Sequence, residues 1–335
     1  MQRANAENNR YVSPLAAAFS AVGTISGAGF LSGRELLEFI GGFFLFPLLL
    51  LFIAFFAVFF SFFSLGVRYG GFHNALHALF SPRTEKIARA AIAFSAFIVG
   101  FVTLSSFHVA YPSARPYLAV LVCVLAVCCT ARGTSAVHVL GKIVVPVLVL
   151  SLFCSALKGG VFSPPQSLDA LCSAHRVFPC LAYVSMNAFF SSPVLIETGA
   201  RLKSKRGVFF SALAAAFFLF CLAALVLSAI GFDKSSYASP FPLEYVLGVK
   251  AFSFFSLIGI CTTFFSCFCS VCTSVGGGIK GKSLCGLFFF LCSLLPFVAA
   301  VKYAYPLVGC IGVLIASLGC VDALLRHEKS RLPVV

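Results

Sequence analysis

Ten apolar stretches, most of them long enough to cross a lipid bilayer, dominate this chain of 335 residues. A helix needs about 20 apolar residues to cross the hydrocarbon core. The chain is 60% hydrophobic and only 10% charged, whereas soluble domains carry about 25% charged residues. The pattern predicts an all-α polytopic membrane protein with about ten transmembrane spans, at residues 14–39, 43–66, 88–110, 116–131, 137–157, 177–199, 207–231, 251–275, 283–301 and 304–325.

The basic residues indicate how these spans are oriented. The net charge is +14, and once ten spans are drawn, most of the 24 lysines and arginines fall in loops on one side of the membrane. Cytoplasmic loops carry such an excess, so we expect a multi-pass protein of the plasma or inner membrane with both termini in the cytoplasm. Basic residues beside apolar spans are expected to contact membrane lipid and not nucleic acid.

The two halves of the chain have the same spacing of spans. Starts at 14, 43, 88, 116 and 137 correspond to starts at 177, 207, 251, 283 and 304, at an offset of about 165 residues. Because each half has an odd number of spans, the second half must be inverted, as in many secondary transporters. The predicted division is an N-terminal tail (1–13), a first five-helix repeat (14–157), an outer loop (158–176), a second repeat (177–325) and a C-terminal tail (326–335).

The first span is unusually rich in glycine, with Gly23, Gly27, Gly29 and Gly33 close together. Each glycine costs about 1 kcal/mol relative to alanine in a helix, and unwound backbone at membrane depth persists only where it lines a cavity or is buried in protein. The alternative is that glycines four apart allow close helix packing. If the helix is unwound, its candidate substrate-binding residues are Thr24, Ser26, Gly27 and Gly29.

The sixth span is the repeat partner of the first and also contains polar residues and a helix breaker. Asn187 lies at its centre, and Pro193 removes a backbone donor. Interruptions at matching positions of two repeats point to a transporter binding site, so discontinuous helices are predicted for spans 1 and 6. The alternative for Asn187 is an interhelical hydrogen bond without a ligand. The candidate substrate-binding residues of this span are Tyr183, Ser185 and Asn187.

The residues Gly23-Thr24-Ile25-Ser26-Gly27-Ala28-Gly29-Phe30, followed by Ser32-Gly33-Arg34-Glu35, form a recognisable motif. This motif resembles the first-span signature of the YkvI-like membrane proteins of the amino acid–polyamine–organocation superfamily, a pattern close to G-T-x-I-G-A-G-F-A-S-G-Q-E. The chain departs from the signature at Ser26, Leu31 and Arg34. The resemblance implies the LeuT fold and secondary transport, without indicating a substrate.

The resemblance also implies where substrate and ions bind. In LeuT-fold transporters, the substrate lies near the membrane midplane between spans 1, 3, 6 and 8, and many of them hold sodium between spans 1 and 8. Threonine hydroxyls and backbone carbonyls supply the oxygen ligands that a hard cation prefers. The alternative is that the threonines bond to carbonyls of their own helix. The corresponding candidate sodium ligands in this chain are Val22, Ile25, Gly259, Thr262 and Thr263.

The expected function is secondary active transport of a small solute by alternating access, with an amino acid as the expected substrate. No carboxylate lies near the centre of a predicted span, which favours sodium over a proton as the coupling ion. Two alternatives stay open: a non-transporting membrane scaffold or sensor, and a sodium-independent exchanger in which Lys142 replaces the cation. An enzyme is not expected, because the spans lack a nucleophile–base pair, and no cofactor other than a sodium ion is expected. Whether Cys172 and Cys180 pair stays open.

Overall fold

A computed structural model describes residues 11–27, 30, 32–41, 44–111, 116–131, 146, 176–231, 237, 239–275, 278–297 and 299–312. Within these residues the regular structure is entirely helical, without a strand. Five of the helices are long and apolar enough to cross a membrane. Apart from residue 146, the predicted fifth span lies outside the described residues, as do Lys142 and Cys172. The chain is therefore an all-α polytopic membrane protein.

The first predicted span consists of two helices with a break between them. Helix α1, Pro14–Ile25, begins at Ser13, whose side chain accepts a hydrogen bond from the Ala16 N–H (3.3 Å). Helix α2, Arg34–Phe39, follows Gly33, whose positive φ of 81° favours glycine. Between them Ser26 and Gly27 are not helical. The predicted discontinuity of span 1 is confirmed.

The next spans form long helices joined by a short connector. Helix α3 is Leu45–Tyr69, the connector helix α4 is Phe72–Leu79, α5 is Pro82–Ala110 and α6 is Tyr117–Ala131. Helix α5 starts six residues before the predicted bound of 88, because proline at a first helical position favours helix initiation. Its first turn is therefore polar and precedes the apolar run.

The sixth span is one continuous helix, α7, Val177–Ala200, and the predicted interruption of this span is wrong. Pro193 lies inside the helix and has no N–H to donate to the Phe189 carbonyl. The Ser192 hydroxyl donates to that carbonyl instead (2.9 Å). The Ser191 hydroxyl likewise donates to the Asn187 carbonyl (2.5 Å). Because neighbouring serines satisfy the carbonyls around the proline, the helix continues through it.

The second half continues with α8, Lys205–Gly231; α9, Pro242–Leu247; α10, Val249–Val275; and α11, Ile279–Ser293. A last described helix, α12, covers 299–312, and its first turn is closed by the Ala300 N–H bonding to the Pro296 carbonyl (3.1 Å). The boundary between the ninth and tenth spans therefore lies at 294–296, earlier than predicted. Proline at 296 accounts for this difference, since it ends one helix and starts the next.

The helices pack in two groups. Helices α1, α3, α7 and α8 form one group, and α5, α6, α10 and α11 form the other, with α7 and α1 also touching α10. Spans 1, 2, 3 and 4 pack against spans 6, 7, 8 and 9, which are the spans predicted to correspond to them in the other repeat. A two-fold axis between the repeats produces such pairing, as expected for an inverted repeat.

Glycines allow the closest approach between helices, at the crossing of α3 and α7. A Cβ atom on Gly66 would lie 2.1 Å from the Ile196 carbonyl oxygen, and one on Gly199 would lie 2.5 Å from the Phe63 carbonyl oxygen. The two backbones are thus in direct contact, as small residues permit in membrane helices.

Candidate functional site

The break in the first span frees one backbone carbonyl. The Ser26 N–H still bonds to the Val22 carbonyl (2.8 Å), as in a helix. The Gly27 N–H, however, turns to the Ile25 carbonyl (2.8 Å) and not to the Gly23 carbonyl four residues back. The Gly23 carbonyl therefore loses its helical donor and is available for another partner.

That partner comes from the eighth span. The Thr263 hydroxyl on α10 donates to the Gly23 carbonyl across 3.4 Å in a buried position. A Cβ atom on Gly27 would lie only 2.9 Å from the same hydroxyl oxygen. Glycine at 27 is thus what lets α10 approach the break. The meeting of spans 1 and 8 at this depth is the one expected from the sequence.

The other predicted sodium ligands bond within their own helices. The Val22 carbonyl accepts from the Ser26 N–H and hydroxyl, both at 2.8 Å. The Thr262 hydroxyl bonds to the Ile258 and Gly259 carbonyls of α10, at 3.1 and 3.2 Å. Among the predicted ligands described here, only Thr263 bridges the two spans through its side chain. These carbonyl and hydroxyl oxygens are of the ligand type that a hard cation prefers, and they supply it without a formal charge.

The candidate substrate residues of the first span are buried side by side. The Thr24 hydroxyl bonds to the Ser20 carbonyl (2.8 Å) and to the Ser266 hydroxyl of α10 (3.1 Å). The Ser26 hydroxyl bonds back to the Val22 carbonyl. Ser266 was not predicted from the sequence, although it follows Thr263 by three residues and so lies on the same face of α10. Gly29 lies outside the described residues.

The candidate residues of the sixth span contact three different parts of the protein. The Tyr183 hydroxyl donates to the Glu35 carboxylate on α2 (3.2 Å). The Ser185 hydroxyl donates to the Gly309 carbonyl on α12 (3.3 Å). The Asn187 side chain donates to the Tyr183 carbonyl of its own helix (2.9 Å). Among the described residues of the first span, Tyr183 is the one of the three whose side chain has a bonding partner there.

Glu35 is a buried carboxylate that was not among the candidate residues predicted from the sequence. It is only 5% exposed, and besides Tyr183 the hydroxyl of Tyr305 on α12 also interacts with it. Helix α2 buries Glu35 together with Leu36 and Phe39. The spacing of these three residues places them on one face of a short helix, which was the available signal. The sequence prediction concerned carboxylates near the centre of a span, and Glu35 lies near the end of the first predicted span.

Polar side chains thus link four spans in sequence. Thr103 on α5 interacts with Tyr305 on α12, Tyr305 interacts with Glu35 on α2, and Glu35 accepts from Tyr183 on α7. All four side chains are buried. A hydrogen-bonded chain of this kind holds α2, the second segment of span 1, against spans 6 and 10. The Gly23 carbonyl and Gly27 contact span 8 at the break.

No protein-family model and no curated protein matches the chain. The solved structures that are similar to it include two transporters. One is the substrate-bound, outward-open state of a Na+-coupled sialic acid symporter, with a TM-score of 0.59 and 13% identity, covering 92% of this chain and 76% of that chain. The other is Mhp1, a nucleobase-cation-symport-1 family transporter in a closed conformation with bromovinylhydantoin bound, with a TM-score of 0.55, 16% identity and the same coverages of 92% and 76%.

At these identities the likeness concerns the fold. It extends over nearly the whole chain, and it accords with the broken first span and with the pairing of corresponding spans. The resemblance to the YkvI-like proteins in particular stays a prediction. The chain has the LeuT fold.

Proposed function

We propose that this protein is a secondary active transporter of a small solute, working by alternating access around a midplane site between spans 1, 3, 6 and 8. The observation that carries the proposal is the break at Ser26–Gly27, which frees the Gly23 carbonyl toward Thr263. Unwound backbone at the middle of a span is a recurrent feature of transporter binding sites. The fold shared with two symporters supports the same conclusion.

The break gives the first span a hinge. Both helices of this span pack against α7 and α8, but α1 also packs against α10, whereas α2 interacts with Tyr305 of α12. The angle between the two segments can therefore change when α10 and α12 move relative to α7 and α8. Hinges of this kind are a few residues at the ends of rigid elements. In this proposal Ser26 and Gly27 absorb the backbone rotation.

The proposed substrate is an amino acid. Main-chain carbonyl and amide groups at the break would suit its charged groups once they exchange their present hydrogen bonds for the substrate, and the buried phenylalanines of the surrounding helices suit an apolar side chain. The site residues of the proposal are those predicted from the sequence in spans 1 and 6. Thr103 on α5 and Ser266 on α10 are added because they are buried and hydrogen-bonded toward the same region.

Sodium is the proposed coupling ion at the contact between spans 1 and 8. The Gly23 carbonyl and the Thr263 hydroxyl are the pair of oxygens that approach one another across the two spans. Val22, Ile25 and Thr262 would join them by exchanging their present intrahelical bonds. A bound sodium ion would supply positive charge that draws α1 and α10 together and neutralises a substrate carboxylate.

Counterflow into proteoliposomes tests the proposal. Purified protein is reconstituted with unlabelled neutral amino acids inside and trace radiolabelled ones outside, with sodium or with potassium. We expect the label to accumulate transiently. Thr263→Val, which removes the hydroxyl that reaches span 1, should lose sodium dependence, whereas Thr262→Val should be affected less because Thr262 bonds to its own helix.

The outcomes separate the proposal from its alternatives. No counterflow of any neutral amino acid in either salt would overturn the proposed transport activity and favour a scaffold or sensor. Counterflow that ignores sodium in the wild type would favour the exchanger in which Lys142 replaces the cation. An equal loss of sodium dependence in Thr263→Val and Thr262→Val would indicate that both hydroxyls bind the ion. The proposed location is the cell membrane, with both termini in the cytoplasm.

A further inference from the structure

Glu35 is the one buried carboxylate of the described transmembrane helices. No basic residue in the described ranges acts on it. Building on the proposed transport function, we propose that Glu35 carries a proton through the transport cycle, enclosed by Tyr183 and Tyr305 in this structure and opened to water on one side of the membrane and then on the other as the cycle proceeds. This adds a proton site to the sodium site proposed between spans 1 and 8.

The groups that face Glu35 come from each helix packed around it. They are the Tyr183 hydroxyl from α7, the Tyr305 hydroxyl from α12 and, farther along, the Cys267 thiol from α10. From α8, the apolar side chains of Val226 and Ile230 pack at the neighbouring Gly33. Within the described part of the chain, none of the groups acting on the carboxyl is basic.

The charged neighbours on α2 itself point elsewhere. The Arg34 guanidinium bonds to the Tyr237 carbonyl (3.1 Å) and lies 3.7 Å from the Glu38 carboxylate. Glu38 is partly exposed and pairs with that arginine. Burying an unpaired carboxylate costs several kcal/mol, so such a group either acquires a cation or becomes neutral by binding a proton.

The packing around Glu35 favours a proton over a larger cation. Tyr183 and Tyr305 are 0% and 1% exposed, and Glu35 is 5% exposed. An organic ammonium group or a metal ion would need space and several ligands, whereas a proton needs neither. A phenol hydroxyl both donates and accepts. Each tyrosine can therefore donate to the carboxylate or accept from the carboxylic acid, and the same enclosure serves both protonation states.

The position of Glu35 couples the proton to movement. Glu35 lies beyond the break, on the segment that is held by α7 and α12, so its hydrogen bonds must separate when α2 moves away from these helices. A carboxylate is then hydrated, and a hydronium ion from that side protonates it: one O–H bond forms at Glu35 as one breaks in hydronium. The proton leaves to water on the opposite side in the next half-cycle, without any change of oxidation state.

Infrared spectroscopy tests the proton site without a substrate. Purified protein in nanodiscs is titrated over the neutral pH range, and the carbonyl stretch of protonated carboxylic acid is followed. We expect a titrating band in the wild type, its loss in Glu35→Gln and its retention in Glu38→Gln, which alters a carboxylate of the same helix. Tyr305→Phe should move the pH of the transition, because it removes a hydrogen bond. A band that persists in Glu35→Gln, or its absence in the wild type, would overturn the inference.

A transport measurement distinguishes failure of this inference from failure of the proposed function. Proteoliposomes with equal sodium concentrations on both sides are given an inward proton gradient and radiolabelled neutral amino acids. The wild type and Glu38→Gln should accumulate label, while Glu35→Gln should lose accumulation but keep counterflow exchange. Absence of counterflow in the wild type would remove the proposed transporter itself. Normal counterflow with no response to the gradient, or an unchanged response in Glu35→Gln, would remove only the proton role.

Discussion

Replacing Gly27 with alanine tests the contact between the broken first span and the eighth span. The added methyl group would lie 2.9 Å from the Thr263 hydroxyl oxygen, 3.0 Å from its methyl carbon and 3.1 Å from its Cβ atom. Ordinary contacts begin near 3.4 Å. The two helices must therefore move apart by about 0.3 Å, the difference between 3.1 and 3.4 Å, because the Thr263 Cβ is fixed to the α10 backbone and cannot rotate away.

The expected cost follows from this overlap. Overpacking of a tight interior by one methyl group costs about 1–3 kcal/mol, so Gly27→Ala should lower the free energy of unfolding by that amount. Thr263→Ala removes two of the three overlapping atoms. The double variant should therefore recover part of the loss, with a coupling energy of about 1 kcal/mol between the two positions.

Denaturant unfolding in detergent, followed by far-ultraviolet circular dichroism, measures these differences. Gly281→Ala is the matched control, because it adds a methyl group to α11 where nothing lies within 4 Å. This control should be as stable as the wild type or slightly more stable, since alanine favours a helix. A Gly27→Ala protein as stable as the control, or a double variant with purely additive effects, would refute the proposed contact.

Three further changes can be measured in the same unfolding assay. Ser192→Ala should cost about 1 kcal/mol, because the Phe189 carbonyl then has no donor beside the proline; an unchanged stability would show that the serine is dispensable. Glu197→Ala should cost about 1–3 kcal/mol, because Glu197 accepts the Phe72 N–H at the start of α4 (2.9 Å); Glu197→Gln, which keeps an acceptor, should cost less. Gly66→Ala should cost about 3 kcal/mol or more, since the methyl group would meet backbone atoms of α7; a neutral result would contradict the close crossing.

The first span shows what can be predicted from composition. Glycine residues weaken a helix wherever it lies, so their density near position 27 was enough to indicate an interruption. Their location in the first of ten spans also agreed with the family resemblance. The structure confirms the break between α1 and α2 and the approach of span 8 to it.

The sixth span shows where such prediction fails. Proline and polar residues indicated a second interruption, but the effect of a proline depends on whether the carbonyl it leaves free finds another donor. Here Ser192 supplies that donor, and Asn187 bonds to its own helix. Whether a serine reaches such a carbonyl depends on its rotamer, and rotamers follow from packing.

The sequence alone determined that this is an all-α membrane protein with a weak point in the first span, and it predicted about ten spans with repeated halves, because these properties depend on composition and spacing along the chain. Tertiary structure decided which side chains meet. Adjacent residues of a helix face directions about 100° apart, so only packing could decide that Thr263, and not Thr262, reaches Gly23. Packing likewise brought Glu35 between Tyr183 and Tyr305. Contacts between distant segments depend on how helices rotate and pack against each other, which the order of residues in one span does not encode.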